Sequence, residues 1–411
     1  MKVVLLLPLL VSLVSAADTS IGGEIRERYE LVRNSRWGEG PQDDNGYLLQ
    51  RYRLWADARF TPLVQGRLEL KSGLVDGRTG GPRPTDRDEL DLHQAYLELG
   101  ADGLALRVGR QELAYGSSRL VSFRAGPNVR QAFDGARLRL KRGAWQTDAF
   151  AVAPVETDPG VFDDGWERGQ AFWGVYGVGP LPGVNGGNLD AYYLGFRSTD
   201  AVFDQGAGRE ERHTVGVRVW GRAGGWDYNH EIAGQTGEFG AGRIAAWTIA
   251  TDTGYTWTAA RGRPRLSLKA DIASGDRDPR DADLQTFNPL FPRGAYFNES
   301  GIIGPFNLVD LHPQLELQPH ERVTLSVDAN WFWRESRGDG VYGPGGNVLR
   351  SGEESRARRV GTQTSIKAEW RLARGWKLNA VYARFDAGPF LRESGAGETT
   401  HFVAASATYA F

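Results

Sequence analysis

Residues 323–333 read Val-Thr-Leu-Ser-Val-Asp-Ala-Asn-Trp-Phe-Trp. Val323, Leu325, Val327, Ala329, Trp331 and Trp333 hold the odd positions, and Thr324, Ser326, Asp328 and Asn330 stand between them. Successive side chains of a strand point to opposite faces, so this is a strand with one apolar and one polar face. The rhythm recurs where Ile366, Ala368, Trp370 and Leu372 alternate with Ser365, Lys367, Glu369 and Arg371, and where Leu266, Leu268, Ala270 and Ile272 alternate with Arg265, Ser267, Lys269 and Asp271. A soluble sandwich would bury the apolar face in a core. A membrane barrel would turn it to lipid and keep the polar face for the lumen.

Connection lengths separate the two. Strands are expected near 21–31, 47–60, 66–74, 90–99, 104–111, 131–141, 144–153, 171–178, 188–198, 212–222, 225–236, 243–257, 264–273, 306–317, 321–333, 361–372, 375–385 and 400–411. Connections are long after every odd-numbered strand and mostly short after the even ones, as at Ala223-Gly224 and Ala373-Arg374. An even strand number with tight turns on one side and long loops on the other is the pattern of an outer-membrane barrel, and a sandwich has no reason to sort its loops by parity. The expected fold is therefore all-β, a transmembrane antiparallel β-barrel of about eighteen strands.

Composition agrees. The chain has 411 residues, a net charge of −2, 54 Gly, no Cys, and no Met beyond the first residue. Disulfide scaffolds, thiolate metal sites and cysteine nucleophiles are excluded together. Lys2 followed by the apolar run Val3 to Val14 and the small-residue site Val14-Ser15-Ala16 reads as a cleaved signal peptide over 1–16, leaving 17–411 as a single barrel domain. The rings of Trp145, Trp226, Tyr255, Trp257, Trp331, Trp333, Trp370 and Trp376 gather toward stripe ends, as interfacial aromatics do. The last strand alternates Val403, Ala405, Ala407, Tyr409 and Phe411 with the small residues Ala404, Ser406, Thr408 and Ala410, which resembles the C-terminal signal read by the barrel-assembly machinery. Glu27, His93 and His230 break the pattern, since the register points them outward.

If the apolar stripe meets lipid, the residues between line the pore. Arg26, Arg28, Arg51, Arg53, Arg59, Arg67, Lys71, Arg107, Arg137, Arg139 and Arg197 then face inward, and the whole inward set carries a surplus of about six positive charges. The first six strands and the last three hold most of that surplus, while Asp227, Glu231, Asp252, Asp271, Asp310, Glu316 and Asp328 form an acidic arc opposite. Six Lys leave 43 Arg among the 49 basic residues. Arg presents a rigid fork that matches a carboxylate bidentately and stays ionised in a crowd of cations, which suits a passage for uronate-like anions. The alternative is that inward Arg and Glu on neighbouring strands pair to brace the wall.

Other motifs carry less. Asp276, Asp278, Asp281 and Asp283 are closely spaced and offer oxygen ligands for Ca²⁺, but without the twelve-residue loop and closing Glu of an EF-hand. The six His show no H-x-x-x-H spacing, no Ser-His-acid cluster is visible, and no strand-then-helix context supports a phosphate loop, so no enzyme, cofactor or nucleic-acid partner is expected.

Several segments together resemble the alginate export family of outer-membrane β-barrels: Val108 to Leu120, Ala132 to Leu140, Leu189 to Ser198, His213 to Gly221 and Thr286 to Pro313. The resemblance implies a monomeric eighteen-stranded barrel with an Arg-lined constriction through which an anionic polysaccharide leaves the cell. On matching positions it would place Arg110, Arg119, Arg137 and Asp134 near that constriction. The acidic arc is more pronounced than a polyanion conduit requires, so a general porin for small polar or anionic solutes is the alternative. In either case the expected partners are outer-membrane lipid and the solute. The residues leave open which of the loops 111–130 and 274–305 enters the pore.

Overall fold

The structure, a computed structural model, describes residues 18–411. The expected leader, residues 1–16, lies outside the described residues. In chain order the strands are β1 (Asp18–Arg33), β2 (Asp43–Thr61), β3 (Val64–Asp76), β4 (Asp88–Ala101), β5 (Leu104–Gln111), β6 (Phe133–Arg142), β7 (Trp145–Glu156), β8 (Gly165–Trp166), β9 (Gln170–Pro180), β10 (Gly187–Phe203) and β11 (Gly206–Ala223). They continue with β12 (Trp226–Phe239), β13 (Gly242–Thr256), β14 (Arg265–Ala273), β15 (Leu308–His320), β16 (Val323–Trp333), β17 (Val341–Tyr342), β18 (Val348–Arg350), β19 (Arg359–Ala373), β20 (Trp376–Ala387) and β21 (Thr400–Ala410). The two- and three-residue strands β8, β17 and β18 belong to loops. The remaining eighteen form one antiparallel sheet that closes on itself, with β1 paired to β21 from Glu24↔Ala410 to Arg33↔His401. Closure removes the unpaired edges that hydrocarbon would penalise by several kcal/mol per exposed backbone group.

All eighteen expected strands are present, and the outward face is the apolar one. Leu325 is 36% and Trp370 45% exposed, and Val327 and Ile366, directly paired, are each 52% exposed. A sandwich core would have buried all four. Rings close the belt at one end, where Tyr255 meets Trp226 and Trp257 edge to face and Tyr409 packs against both Trp376 and Phe411. The tight turns form for local reasons. Asp102 (φ 49°) and Gly103 (φ 85°) take the left-handed values that a two-residue hairpin turn demands, and Thr61 Oγ1 accepts from the amides of Leu63 and Val64 across the next turn.

Three features depart from the sequence reading. The connections after the ninth and eleventh barrel strands are not long loops: β10–β11 and β12–β13 continue as ladders and turn only at residues 204–205 and 240–241. His93 turns inward because β4 bulges there, the register with β3 shifting between Glu69↔Gln94 and Leu70↔Leu92. Glu27 and His230 stay outward and find polar or ring partners on that face: Tyr52 donates to Glu27 at 2.8 Å, and His230 stacks on Tyr228. The third feature matters most for function. On β6 to β10 the inward face is itself apolar, carrying Phe133, Phe150, Phe172, Tyr176, Tyr192, Leu194 and Phe196 in one buried cluster.

Candidate functional site: the lumen and its two in-folded loops

That inward aromatic face has partners. The chain between β5 and β6 (residues 112–132) and the chain between β14 and β15 (residues 274–307) both leave the wall and enter the barrel. There Leu113, Leu120 and Val121 of the first loop and Leu284, Phe287, Leu290 and Phe291 of the second join the wall aromatics. The loops hold each other by backbone bonds, Phe291 N–H to Leu120 O at 2.9 Å and Arg293 N–H to Ser118 O at 3.1 Å. Where β5 and β6 give up the chain to the lumen, residues 159–162 fill the gap in the wall: Leu90 donates to Gly160 O and receives from Phe162 N–H.

Both loops cross to the opposite, arginine-bearing wall. Arg26 donates to Gly126 O at 2.8 Å and Pro127 O at 3.2 Å, and Arg51 donates to Ala125 O at 2.8 Å and Pro127 O at 3.0 Å while pairing with Glu24. Asn128, 2% exposed, donates to three backbone carbonyls, those of Gln50, Leu74 and Asp86. The second loop lands through Glu299, which takes Arg28 and Lys367 at 2.8 Å each and accepts from Asn379. Much of the arginine ladder is thus engaged in holding the loops across the lumen.

The other candidates divide between wall bracing and open positions. Arg53 pairs with Glu69 at 2.5 Å, Arg67 with Asp57 through two bonds of 2.8 Å, Arg107 with Glu98 at 2.7 Å, and Lys71 with both Asp88 and Asp164 at 2.6 Å. Arg137 and Arg139 share Asp148 more loosely, at 3.9 and 3.5 Å, and Arg119, on the first loop, reaches Glu231 at 3.2 Å. Arg59 stands exposed near the β2–β3 turn with no ion-pair partner among the described residues.

Three expected pore residues lie elsewhere. Arg110 and Asp134 are directly paired and bind each other bidentately at 2.9 and 3.0 Å, but the register sets them on the same face as Val108 and Ala136, the outward one. There Arg110 also donates to Leu92 O and Asp164 O, so the pair fastens the patch in the wall. Arg197 is exposed on the outward face because its neighbours Phe196 and Ser198 take the inward one. The sequence reading assumed that the charged side of each strand faces the lumen, and β10 reverses it.

The loops also bring in residues that the strand count passed over. Arg124, Arg130, Arg293 and Glu299 lie in connections, yet all end up inside the barrel. Arg130 pairs with Glu112 at 2.7 Å, and His93 reaches the same carboxylate at 2.6 Å. Burial would raise Glu112, but the hydrogen bond from His93 and the charge of Arg130 hold it below the usual carboxylate range. Burial likewise opposes Lys367 and Arg28 at Glu299, and loses, leaving that acid at about 2. Arg124 and Arg293 have no carboxylate partner among the described residues. Arg124 Nε donates to Pro292 O at 3.3 Å and Arg293 Nη2 to Tyr296 O at 3.2 Å. Enclosure by the barrel pushes Arg124 down to about 10, which leaves it charged at neutral pH, and lowers Arg293, beside which Arg119 adds repulsion. The signal for these loops was their length together with Leu120, Val121, Phe287, Leu290 and Phe291, too apolar for a connection in water.

The four aspartates considered for Ca²⁺ scatter. Asp276 is buried beside Asp339, Asp278 pairs with Arg280, the Asp281 carboxylate accepts from Asp283 N–H, and Asp283 pairs with Arg243. Asp91, Asp163 and Asp164 do come within 4.8 Å of one another, but Lys71 and Arg110 already supply positive charge there.

The family model described as alginate export matches residues 17–406, nearly the whole chain. The chain belongs to the alginate export family. Solved structures similar to this alginate-export-family barrel include three from Pseudomonas aeruginosa: OpdK with vanillate (10% identity, TM-score 0.64, covering 96% of this chain and 98% of that one), OccK3 or OpdO (13%, 0.62, 98% and 97%), and OccD3 or OpdP (12%, 0.63, 96% and 91%). At such identities the likeness carries the fold alone. No curated protein sequence matches this chain. Family and fold together make this member an outer-membrane channel of the Gram-negative type, with its belt in lipid and solute passing through the lumen.

Proposed function

We propose that this channel passes anions, and that its cargo is an anionic, uronate-rich polysaccharide exported by diffusion. The observation that supports this is which charges remain unneutralised where water reaches. Arg293 and Arg124 stand on the two facing loops and Arg59 near a mouth; Arg293 and Arg59 are exposed and Arg124 half-buried, and none of the three has a carboxylate partner among the described residues. Of the opposite arc, Asp271, Asp310, Glu316 and Asp328 have no Arg or Lys within ion-pair distance among the described residues; Asp310 and Asp328 are only 3% and 8% exposed, and the half-buried Glu316 lies directly across from Arg265 in the register, as the half-buried Asp271 lies across from Asp310. A carboxylate would therefore meet guanidinium forks in sequence, each binding enough to admit it and too weakly to retain it. No catalytic step is part of the proposal.

Reversal potentials across planar bilayers in a salt gradient test it. The wild type should prefer anions, and Arg124→Gln with Arg293→Gln should bring the two permeabilities together. Near-equal permeability in the wild type would overturn the reading. The contact between the two loops favours a second reading, a porin for small polar or anionic solutes, because it leaves a polymer little room until the loops part. Block of the current by uronate oligomers longer than a few sugars supports the first; block only by single sugar acids supports the second. The chain would act as a monomer over one barrel domain, 17–411, after loss of residues 1–16. Phe411 would be read by the assembly machinery.

A further inference from the structure

The outward rim of the barrel is charged in two different ways. Near the β10–β13 hairpins the directly paired row runs Arg197, Glu211, Glu238, Arg243, two of each sign. Across β1, β21 and β20 the row runs Arg33, His401, Arg384 with no acid in it. Adjacent strands are about 4.8 Å apart, so Arg33 and Arg384 are roughly 10 Å from each other with His401 between. Like charges so placed destabilise a sheet unless something of opposite sign meets them. Among the described residues the carboxylate that pairs with the row is Asp386, which holds Arg384 at 2.8 Å and also accepts from Thr399. Arg359 joins the group by donating to Thr362, the residue paired with Asp386. Arg33 and Arg359 are exposed and have no ion-pair partner among the described residues.

The height of the row is informative. His401 lies eight residues along β21 from Tyr409, which belongs to the ring of aromatics at the other end of the belt. That is about 26 Å of strand, or about 20 Å of height at a barrel's tilt, close to the full depth of an apolar band of ~25 Å. Directly below the row are Tyr382, 41% exposed and donating to or accepting from His401 Nδ1 at 2.9 Å, and Val403, 37% exposed. A molecule on this surface would have its head among guanidiniums and its tails on an apolar wall.

We propose that Arg33, Arg384 and Arg359, with His401 between the first two, form a docking site for a phosphorylated glycolipid headgroup of the outer leaflet. The planar guanidinium binds phosphate oxygens in pairs, and a sugar phosphate placed between Arg33 and Arg384 relieves the repulsion along the row. Acyl chains then run down over Tyr382 and Val403. This site is independent of the channel: none of its cations faces the lumen.

Native mass spectrometry of the full chain in detergent tests it, using lipid A with its phosphates and lipid A enzymatically stripped of them. The wild type should retain the phosphorylated lipid about tenfold better, and Arg33→Gln with Arg384→Gln should abolish that preference. Arg197→Gln with Arg243→Gln, on the balanced row, should leave it intact. Heat-modifiable mobility and unaltered conductance establish that a variant is folded, and Arg359→Gln alone serves if the double variant is not. Equal retention of both lipids by the wild type, or an unchanged preference in the folded variant, overturns the proposal. So does displacement of the lipid by millimolar inorganic phosphate, which would mark a site for free anions.

Discussion

Replacing Arg26 with Ala should loosen the first loop, and the size of the effect can be worked out. The Arg26 guanidinium is 6% exposed and has no carboxylate partner among the described residues; its bonds go to the backbone of residues 125–127 and to Asn128 Oδ1. Two of these are good, at 2.8 and 3.2 Å, and two are marginal at 3.4 Å. Hydrogen bonds from a charged donor contribute about 1.5–3 kcal/mol each, giving about 3–6 for the good pair. Gly126 is exposed and regains water once Arg26 is gone, and Pro127 O keeps its bond from Arg51, which reduces the net loss to about 2–3 kcal/mol. At tenfold per 1.4 kcal/mol, the detached state of residues 123–130 becomes about 30 to 150 times more populated. Single-channel recordings should show more frequent openings to a larger conductance, and hydrogen exchange should report faster exchange at Val129, whose amide donates to Thr85 O. Adding Asn128→Ala should increase both effects. If the folded Arg26→Ala barrel shows the same openings and the same exchange as the wild type, the loop is not held by this arginine and the account of the basic wall fails.

Two further outcomes follow from the structure. Ile366→Arg places a charge on the lipid face beside Val327, which should cost about 2–4 kcal/mol in urea titrations from liposomes, whereas Ser365→Arg, facing inward, should cost less. The outer loops should respond to pH through Asp339, which accepts from Asp276 N–H at 3.0 Å, Thr286 at 2.6 Å and Tyr342 at 2.6 Å and so ties residues 274–307 to 334–358. Burial, and then the facing Asp339 carboxylate, raise Asp276 to about 7, and burial raises Asp339 to about 6. Both exceed the ordinary 3.8, so the tie is strongest below pH 4 and weakens as pH rises through 6 and 7. Hydrogen exchange over 334–358, corrected for intrinsic rates, should be faster at pH 8 than at pH 5; equal protection would remove this link.

Sequence alone settled what depends on local repetition. The apolar stripe of 323–333, its copies at 266–272 and 366–372, and the spacing of the connections give strand number, antiparallel order and the lipid face of those three strands, because side-chain direction alternates residue by residue whatever the rest of the chain does. The bulge at His93 was visible only as a broken rhythm. Tertiary structure decided the contents of the lumen. On β10, Tyr192, Leu194 and Phe196 could have faced lipid as readily as Leu189 and Tyr193, and alternation does not say which set turns inward; the aromatic residues of the two loops supply the inner partner that decides it. The same holds for the arginines. Their number and type are written in the sequence, but whether Arg26 awaits a solute or grips a backbone carbonyl depends on a loop a hundred residues away, and only the closed barrel brings the two together.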